Sequence, residues 1–225
     1  MAQLYVASVF VGDDGRGGNP LGVVLQGGAV PGGERQAVAA VLGFSETVFV
    51  DDPATGELAI FTPTTELSFA GHPVVGAAWV LARDGVAPRV LRPPAGEVPV
   101  HQRDDRTFVA GRPEWAPPFD HVQLDSSAQV DALAGPPAGR DLVGCWAWED
   151  EARGVVRARV FAPALGVEED EATGSHAIGL AAMLGRSLAI RQGRDSLILA
   201  RPLDDGSVEI GGRVRLLERR AWPQD

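Results

Sequence analysis

Phe61-Thr62-Pro63-Thr64-Thr65-Glu66-Leu67-Ser68-Phe69-Ala70-Gly71-His72-Pro73-Val74-Val75-Gly76-Ala77-Ala78-Trp79-Val80-Leu81 is the stretch on which the fold turns. It predicts a strand end, a turn and a helix over residues 72–83. Pro73 suits the first helical position, because its missing N–H is one of the donors that a helix start leaves unpaired anyway. Across residues 74–81 no side chain is charged. A surface helix carries a polar face, so a helix that is apolar on every side belongs in an interior, with a sheet curled around it. The N–H groups at its start, near Gly71, then form an anion site, since unpaired donors and the helix dipole favour a carboxylate or phosphate there.

The pattern returns 103 residues later. Thr173-Gly174-Ser175-His176-Ala177-Ile178-Gly179-Leu180-Ala181-Ala182-Met183-Leu184 overlays residues 70–81, with Gly71 on Gly174, Gly76 on Gly179, Ala78 on Ala181 and Leu81 on Leu184. A Phe-x-Pro precedes each copy, as Phe61-Thr62-Pro63 and Phe161-Ala162-Pro163. Two similar halves follow, each a sheet wrapped on a central helix, with both helix starts available to face one shared cleft. The domains are expected at residues 1–112, with helix 72–83, and 119–225, with helix 174–185. The last strand is expected to pack on the N-terminal domain. Between them Arg112-Pro113-Glu114-Trp115-Ala116-Pro117-Pro118 reads as a linker, because its prolines suit neither a helix nor a central strand.

Composition narrows the function. The chain has 225 residues, 45% of them apolar, enough for a sizeable core in one large or two small domains. Thirty acidic against 20 basic residues give a net charge of −10 and no basic patch, which argues against a nucleic-acid surface. Residues 1–10 lack a basic start, and no apolar run is long enough for a membrane span, so a cytoplasmic protein is expected, with no membrane partner. The lone Cys145 cannot form an internal disulfide, which suits a reducing compartment.

Along the chain, strands are expected at residues 3–10, 21–25, 44–50, 57–61, 89–92, 97–101 and 107–110. A helix at 34–42 ends at Gly43. In the second half a short helix is expected at 130–133 and strands at 143–148, 155–162, 196–200, 207–210 and 213–217. Residues 168–171 read as an acidic turn. The glycines of Gly12-Asp13-Asp14-Gly15-Arg16-Gly17-Gly18-Asn19-Pro20 lack the Gly-Lys-Ser/Thr and the following helix that a phosphate loop needs. On a two-residue period Glu46 shares a face with Val48 and Val50. A carboxylate kept from water has a raised pKa, as a group that takes and returns a proton requires. At the start of a strand, a solvated rim charge remains the alternative.

Gly18-Asn19-Pro20, Ser45-Glu46-Thr47, Phe61-Thr62-Pro63 with Glu66-Leu67 and Phe69-Ala70-Gly71-His72-Pro73, and Phe161-Ala162-Pro163 with Glu169-Asp170 and Ala172-Thr173-Gly174-Ser175 form an ordered set. Together they resemble the PhzF-like phenazine biosynthesis isomerase family, which has the diaminopimelate epimerase fold. The resemblance implies an α+β chain of two pseudo-symmetric domains, each a mostly antiparallel β-barrel around a central buried α-helix, and a homodimer. It also implies cofactor-free proton transfer on a small cyclic or amino-acid-like carboxylate bound between the domains. Glu46 would be the general acid/base, and His72 and Asp170 would orient the substrate. Asn19, Gly71, Gly174 and Ser175 would bind it, the last three at its carboxylate. Plainer roles stand beside these: His72 as a cap, Asp170 as a solvated charge in an acidic run, Ser175 as a simple N-cap.

The chain departs from the family pattern at Ser8, where an acidic residue is usual, and at Glu171, a second charge beside Asp170. A hairpin and helix expected between Leu133 and Val155 are absent, so the second domain is shortened. Two-cysteine epimerase chemistry is disfavoured by a single cysteine outside every motif. The four histidines show no metal-ligand spacing. The rival reading is a catalytically silent protein that keeps the carboxylate site.

Overall fold

Residues that are apolar on all sides of a helix favour an interior, and both such runs are largely buried in the computed structural model, which describes residues 2–222, although Met183 near the end of the second is 54% exposed. The chain begins with β1 (Ala2–Val11), β2 (Asn19–Leu25), α1 (Gly32–Leu42), β3 (Glu46–Asp52) and β4 (Glu57–Phe61). The short β5 (Glu66–Leu67) leads into α2 (Gly71–Arg83), then β6 (Val90–Leu91), β7 (Val98–Arg103) and β8 (Arg106–Gly111). The second half runs β9 (Asp120–Gln123), α3 (Ser127–Asp131), β10 (Val143–Asp150), β11 (Val155–Ala162), β12 (Val167–Asp170), α4 (Gly174–Leu184), β13 (Leu188–Gln192), β14 (Ser196–Pro202) and β15 (Val208–Trp222). Among the described residues no helix is long and apolar enough to cross a membrane.

This sheet-rich α+β chain divides into two compact units. The first holds residues 2–9, 20–109 and 213–222, and the second residues 10–19 and 110–212. The division therefore differs from a single linker at residues 112–118. Two long strands, β1 of 10 residues and β15 of 15, each supply residues to both units.

In the first unit β3 runs parallel to β2, with Leu21 opposite Glu46, and antiparallel to β4. β5 folds back on β4, and α2 follows. Arg92, just after β6, then bridges in parallel to Glu57 at the start of β4, through Arg92 N–H to Gly56 O at 2.7 Å and Leu58 N–H to Arg92 O at 3.3 Å. β6, β7 and β8 continue as an antiparallel meander. The second unit repeats the scheme. β10 is parallel to β9 and antiparallel to β11, β12 folds back on β11, and α4 follows. β13 then pairs in parallel with β11 and leads into antiparallel β14 and β15. The repeat seen in sequence is thus a repeat of pairing order as well as of helix composition.

Close packing explains the glycines within the helices. A Cβ on Gly76 would lie 2.3 Å from Leu21 Cδ2 and 2.8 Å from Val9 Cγ2, so strands and helix approach only because it has none. Several local expectations change. α2 begins at Gly71, which puts Pro73 third; its missing N–H is still harmless, because the whole first turn lacks acceptors. Residues 168–171 are mostly strand β12 and not a turn, because Asp170 pairs with Val160 across β11. Residues 207–210 and 213–217 are one strand, since Gly211 keeps its place opposite Leu199 and Gly212 has room for no side chain beside Leu197 O. α3 starts earlier than expected, where the Ser126 hydroxyl accepts from Gln129 N–H.

His176 of α4 occupies the core of the second unit. Its ring lies 4.8 Å from that of His121 and 5.9 Å from that of Phe119, and both its nitrogens are buried without a hydrogen bond. A Cβ on Gly144 would sit 1.8 Å from His176 Nε2. Burial, helped by His121, pushes the His176 pKa down to about 3. The folded value lies below the unfolded one of about 6.5, so the contribution is complete above that pH and is lost as pH falls toward 3. His176→Leu is therefore expected to flatten the fall of the urea midpoint between pH 6.5 and 4 by one proton's worth of slope. Gly144→Ala, which overpacks the same ring, is expected to cost about 1–3 kcal/mol in the same titration at pH 7.

Candidate active site

Glu46 is the first residue of β3, placed there by the end of α1. Gly43 caps that helix in the left-handed region at φ 68°, its N–H donating to Ala39 O at 3.0 Å, and the chain turns at once into the strand. The next four residues of β3 are buried, so the strand enters an interior on both faces. Glu46 keeps 16% of its side-chain surface, while its Oε2 is shut away from solvent. His72, second residue of α2 and 3% exposed, brings Nε2 to 3.2 Å from that oxygen. The approach is close but lacks the alignment of a directed hydrogen bond at Oε2. Burial raises the Glu46 pKa from 4.5 to about 7, against a smaller lowering by a hydrogen bond from the Ser45 side chain. Gly71, beside His72, is the buried first residue of the helix.

Asp170 and Asn19 meet in the second unit. Asn19 Nδ2 donates to Asp170 Oδ1 at 2.6 Å and to Ala172 O at 3.1 Å. The Thr173 hydroxyl donates to Asp170 Oδ2 at 2.6 Å. The acidic run is thereby sorted by strand alternation. Glu169 turns to Arg159, which donates to both its oxygens at 2.7 Å, and Asp170 turns the other way. Gly174 is the first residue of α4 and Ser175 the second, half-buried. The N-cap is Thr173 rather than Ser175, and its hydroxyl serves Asp170 instead of capping. The amides of the first turn of α4 thus have no side-chain cap, which is the electrostatic condition for holding an anion.

Sequence reasoning missed the residues behind Asp170. Gln192, 1% exposed, donates from Nε2 to Asp170 O and to Thr173 Oγ1, both at 2.8 Å, and its Oε1 accepts from Thr173 N–H at 3.1 Å. The signal was the alternation of Leu188, Ile190 and Gln192 on the inward face of β13, a strand that was not anticipated. Glu171 accepts from Arg194 N–H at 2.8 Å and from the Ser196 hydroxyl at 3.1 Å. Cys145 is buried beside Val143 and Phe161, and burial pushes its thiol pKa up, the opposite of a poised thiolate. An open groove of about 750 Å³ elsewhere in the second unit is walled by ion pairs, Arg157 with Asp131 at 2.7 Å and Arg191 with Glu149 at 3.4 Å.

The sequence pattern of the phenazine biosynthesis-like protein family, PhzC-PhzF, matches residues 8–136. The chain is 30% identical over 246 aligned residues to trans-2,3-dihydro-3-hydroxyanthranilate isomerase of Pseudomonas aeruginosa, covering 90% of this chain and 84% of that one. Among solved structures, a phenazine biosynthesis PhzC/PhzF protein from Clostridium difficile superposes with a TM-score of 0.79 at 21% identity, over 98% of this chain and 99% of that one. A probable proline racemase from Agrobacterium radiobacter shares the fold at a TM-score of 0.66 and 11% identity, over 100% of this chain and 94% of the other. The chain belongs to the phenazine biosynthesis-like protein family, and its activity is of the isomerase class.

The Glu46 environment carries its own test. A folded pKa raised above the unfolded one gives stability that is full below about pH 4.5 and is lost as pH rises through 7, a change on the order of 3 kcal/mol. Glu46→Gln is therefore expected to be more stable than the native protein in urea at pH 8 and no more stable at pH 4.

Proposed function

We propose that this chain moves a proton between carbons of a small cyclic amino-carboxylate without a cofactor, with Glu46 as general acid/base. The observation that carries the reading is the shielded Glu46 carboxyl, raised to about 7 and set 3.2 Å from His72. Near neutral pH such a group is populated in both forms, so it can take a proton from one carbon as the carboxylate and return it to another as the acid. The substrate's electron pair shifts between those carbons, and the product is an isomer with no atom gained or lost. The name of the Pseudomonas aeruginosa relative, an isomerase of a dihydro-hydroxyanthranilate, supports a cyclic amino acid as the substrate class.

In this reading His72 steers the Glu46 carboxyl and Asp170, held by Asn19, accepts from the substrate's amino or hydroxyl group. The amides at Gly174 and Ser175 take the carboxylate.

Incubating the protein with a panel of cyclic amino-carboxylates in heavy water tests it. Deuterium is expected to enter at carbon in at least one acid, at a rate that rises with pH through about 7 as Glu46 ionises. Glu46→Gln should lower that rate by about a hundredfold or more. Exchange that ignores the substitution removes Glu46 from the mechanism.

A further inference from the structure

Both oxygens of Asp170 receive hydrogen bonds, and each donor is itself held from behind. On one side, the Glu171 carboxylate accepts from the Ser196 hydroxyl, whose oxygen accepts from Gly18 N–H at 2.8 Å, and this fixes the chain next to Asn19. On the other, the Gln192 amide is bonded three times, to Asp170 O, Thr173 Oγ1 and Thr173 N–H. The second arrangement has a directional consequence. A Thr173 hydroxyl that accepts from Gln192 Nε2 must send its own hydrogen elsewhere, and Asp170 Oδ2 at 2.6 Å is where it goes.

We propose that Gln192 is a positioning residue for Asp170, acting through the Thr173 hydroxyl to fix the direction in which the carboxylate faces. This rests on the reading above only in taking Asp170 as a group that meets the substrate. Gln192 touches nothing that reacts. Its amide spans the main chain of Asp170 and Thr173, so it sets the carboxylate and the start of α4 with a single side chain. A carboxylate released on one side turns about its last bond, and an error of that size in a group that orients substrate lowers the fraction of bound molecules ready to react. Glu171 is the counterpart on the other side. Gly193, at φ 58°, leaves it room, since a Cβ there would sit 2.4 Å from Glu171 Cδ.

Three variants of the full chain test the proposal by the heavy-water exchange assay. Gln192→Leu removes all three bonds, Gln192→Glu, assayed at pH 9 with its carboxyl ionised, keeps an acceptor for Thr173 N–H at the same volume but cannot donate, and Thr173→Val removes the hydroxyl alone. Each is expected to lower kcat about a hundredfold with KM within a few-fold, while Thr173→Ser restores the native rate. The double variant Gln192→Leu with Thr173→Val should lose less than the product of the two single losses, because both disturb the Thr173 hydroxyl bond to Asp170. Native kcat in Gln192→Glu, or losses that multiply in the double variant, would overturn the proposal while leaving the Glu46 mechanism standing. If the native protein exchanges no acid of the panel, the functional reading fails, and the crystal structure of Gln192→Glu decides the positioning role by itself. An Asp170 carboxylate still bonded to the Thr173 hydroxyl in that structure sinks it, and one that has turned away upholds it.

Discussion

A helix enclosed on every side cannot offer a polar face, so whatever polarity it has is concentrated at its ends. That constraint acts on α2 and on α4 up to Ala181, beyond which Met183 is exposed. Gly76 allows α2 to lie within contact of Leu21 and Val9, and the burial of nearly every residue from Gly71 to Leu81 follows from that approach. The first turn of each helix keeps backbone donors that no strand can satisfy, because the strands spend theirs on one another. Polar side chains meet where those donors emerge. In the first unit the first turn of α2 brings His72 to Glu46, and in the second the N-cap Thr173 is turned over to Asp170.

The two carboxylates are handled by opposite physics. Glu46 is taken from water with little bonding in exchange, so its charged form is penalised and its pKa moves toward neutrality. Asp170 is surrounded by donors on both oxygens. A group of the first kind exchanges protons readily, whereas one of the second kind is an acceptor of fixed direction. Environments that differ in this way move two like side chains in different directions, one toward neutrality and the other toward a fixed set of hydrogen bonds.

Much of this was legible in the sequence, and the rest was not for definable reasons. The apolar runs after Phe-x-Pro marked both central helices, since burial on all sides leaves no other reading of uncharged residues at 74–81. Glu46 was singled out by a two-residue period, yet the period was not what buries it: residues 47 to 50 are all interior, so either face would have served. Residues 168–171 misled because four acidic side chains suggest solvent. Strand alternation turns Glu169, ion-paired to Arg159, and Asp170 to different faces. Gln192 went unseen for the complementary reason. A polar residue ending a short apolar alternation looks like a strand leaving the core, and only the Thr173 amide and hydroxyl across from it make its burial favourable.

Buried polar atoms without hydrogen bonds occur at Glu46 and at His176, and burial has opposite consequences for the two. His176 has no exposed surface, its Nε2 faces the Cα of Gly144, and its pKa has moved away from physiological pH. It behaves as a flat apolar filler whose nitrogens are a tolerated cost. Glu46 keeps 16% of its surface, stands beside a second polar side chain, and has a pKa that has moved toward physiological pH. Desolvation acts on both with comparable force, but it drives the imidazole out of the range where protons move and brings the carboxyl into it. The sign of a group's charge therefore decides whether burial moves its pKa away from neutrality or toward it.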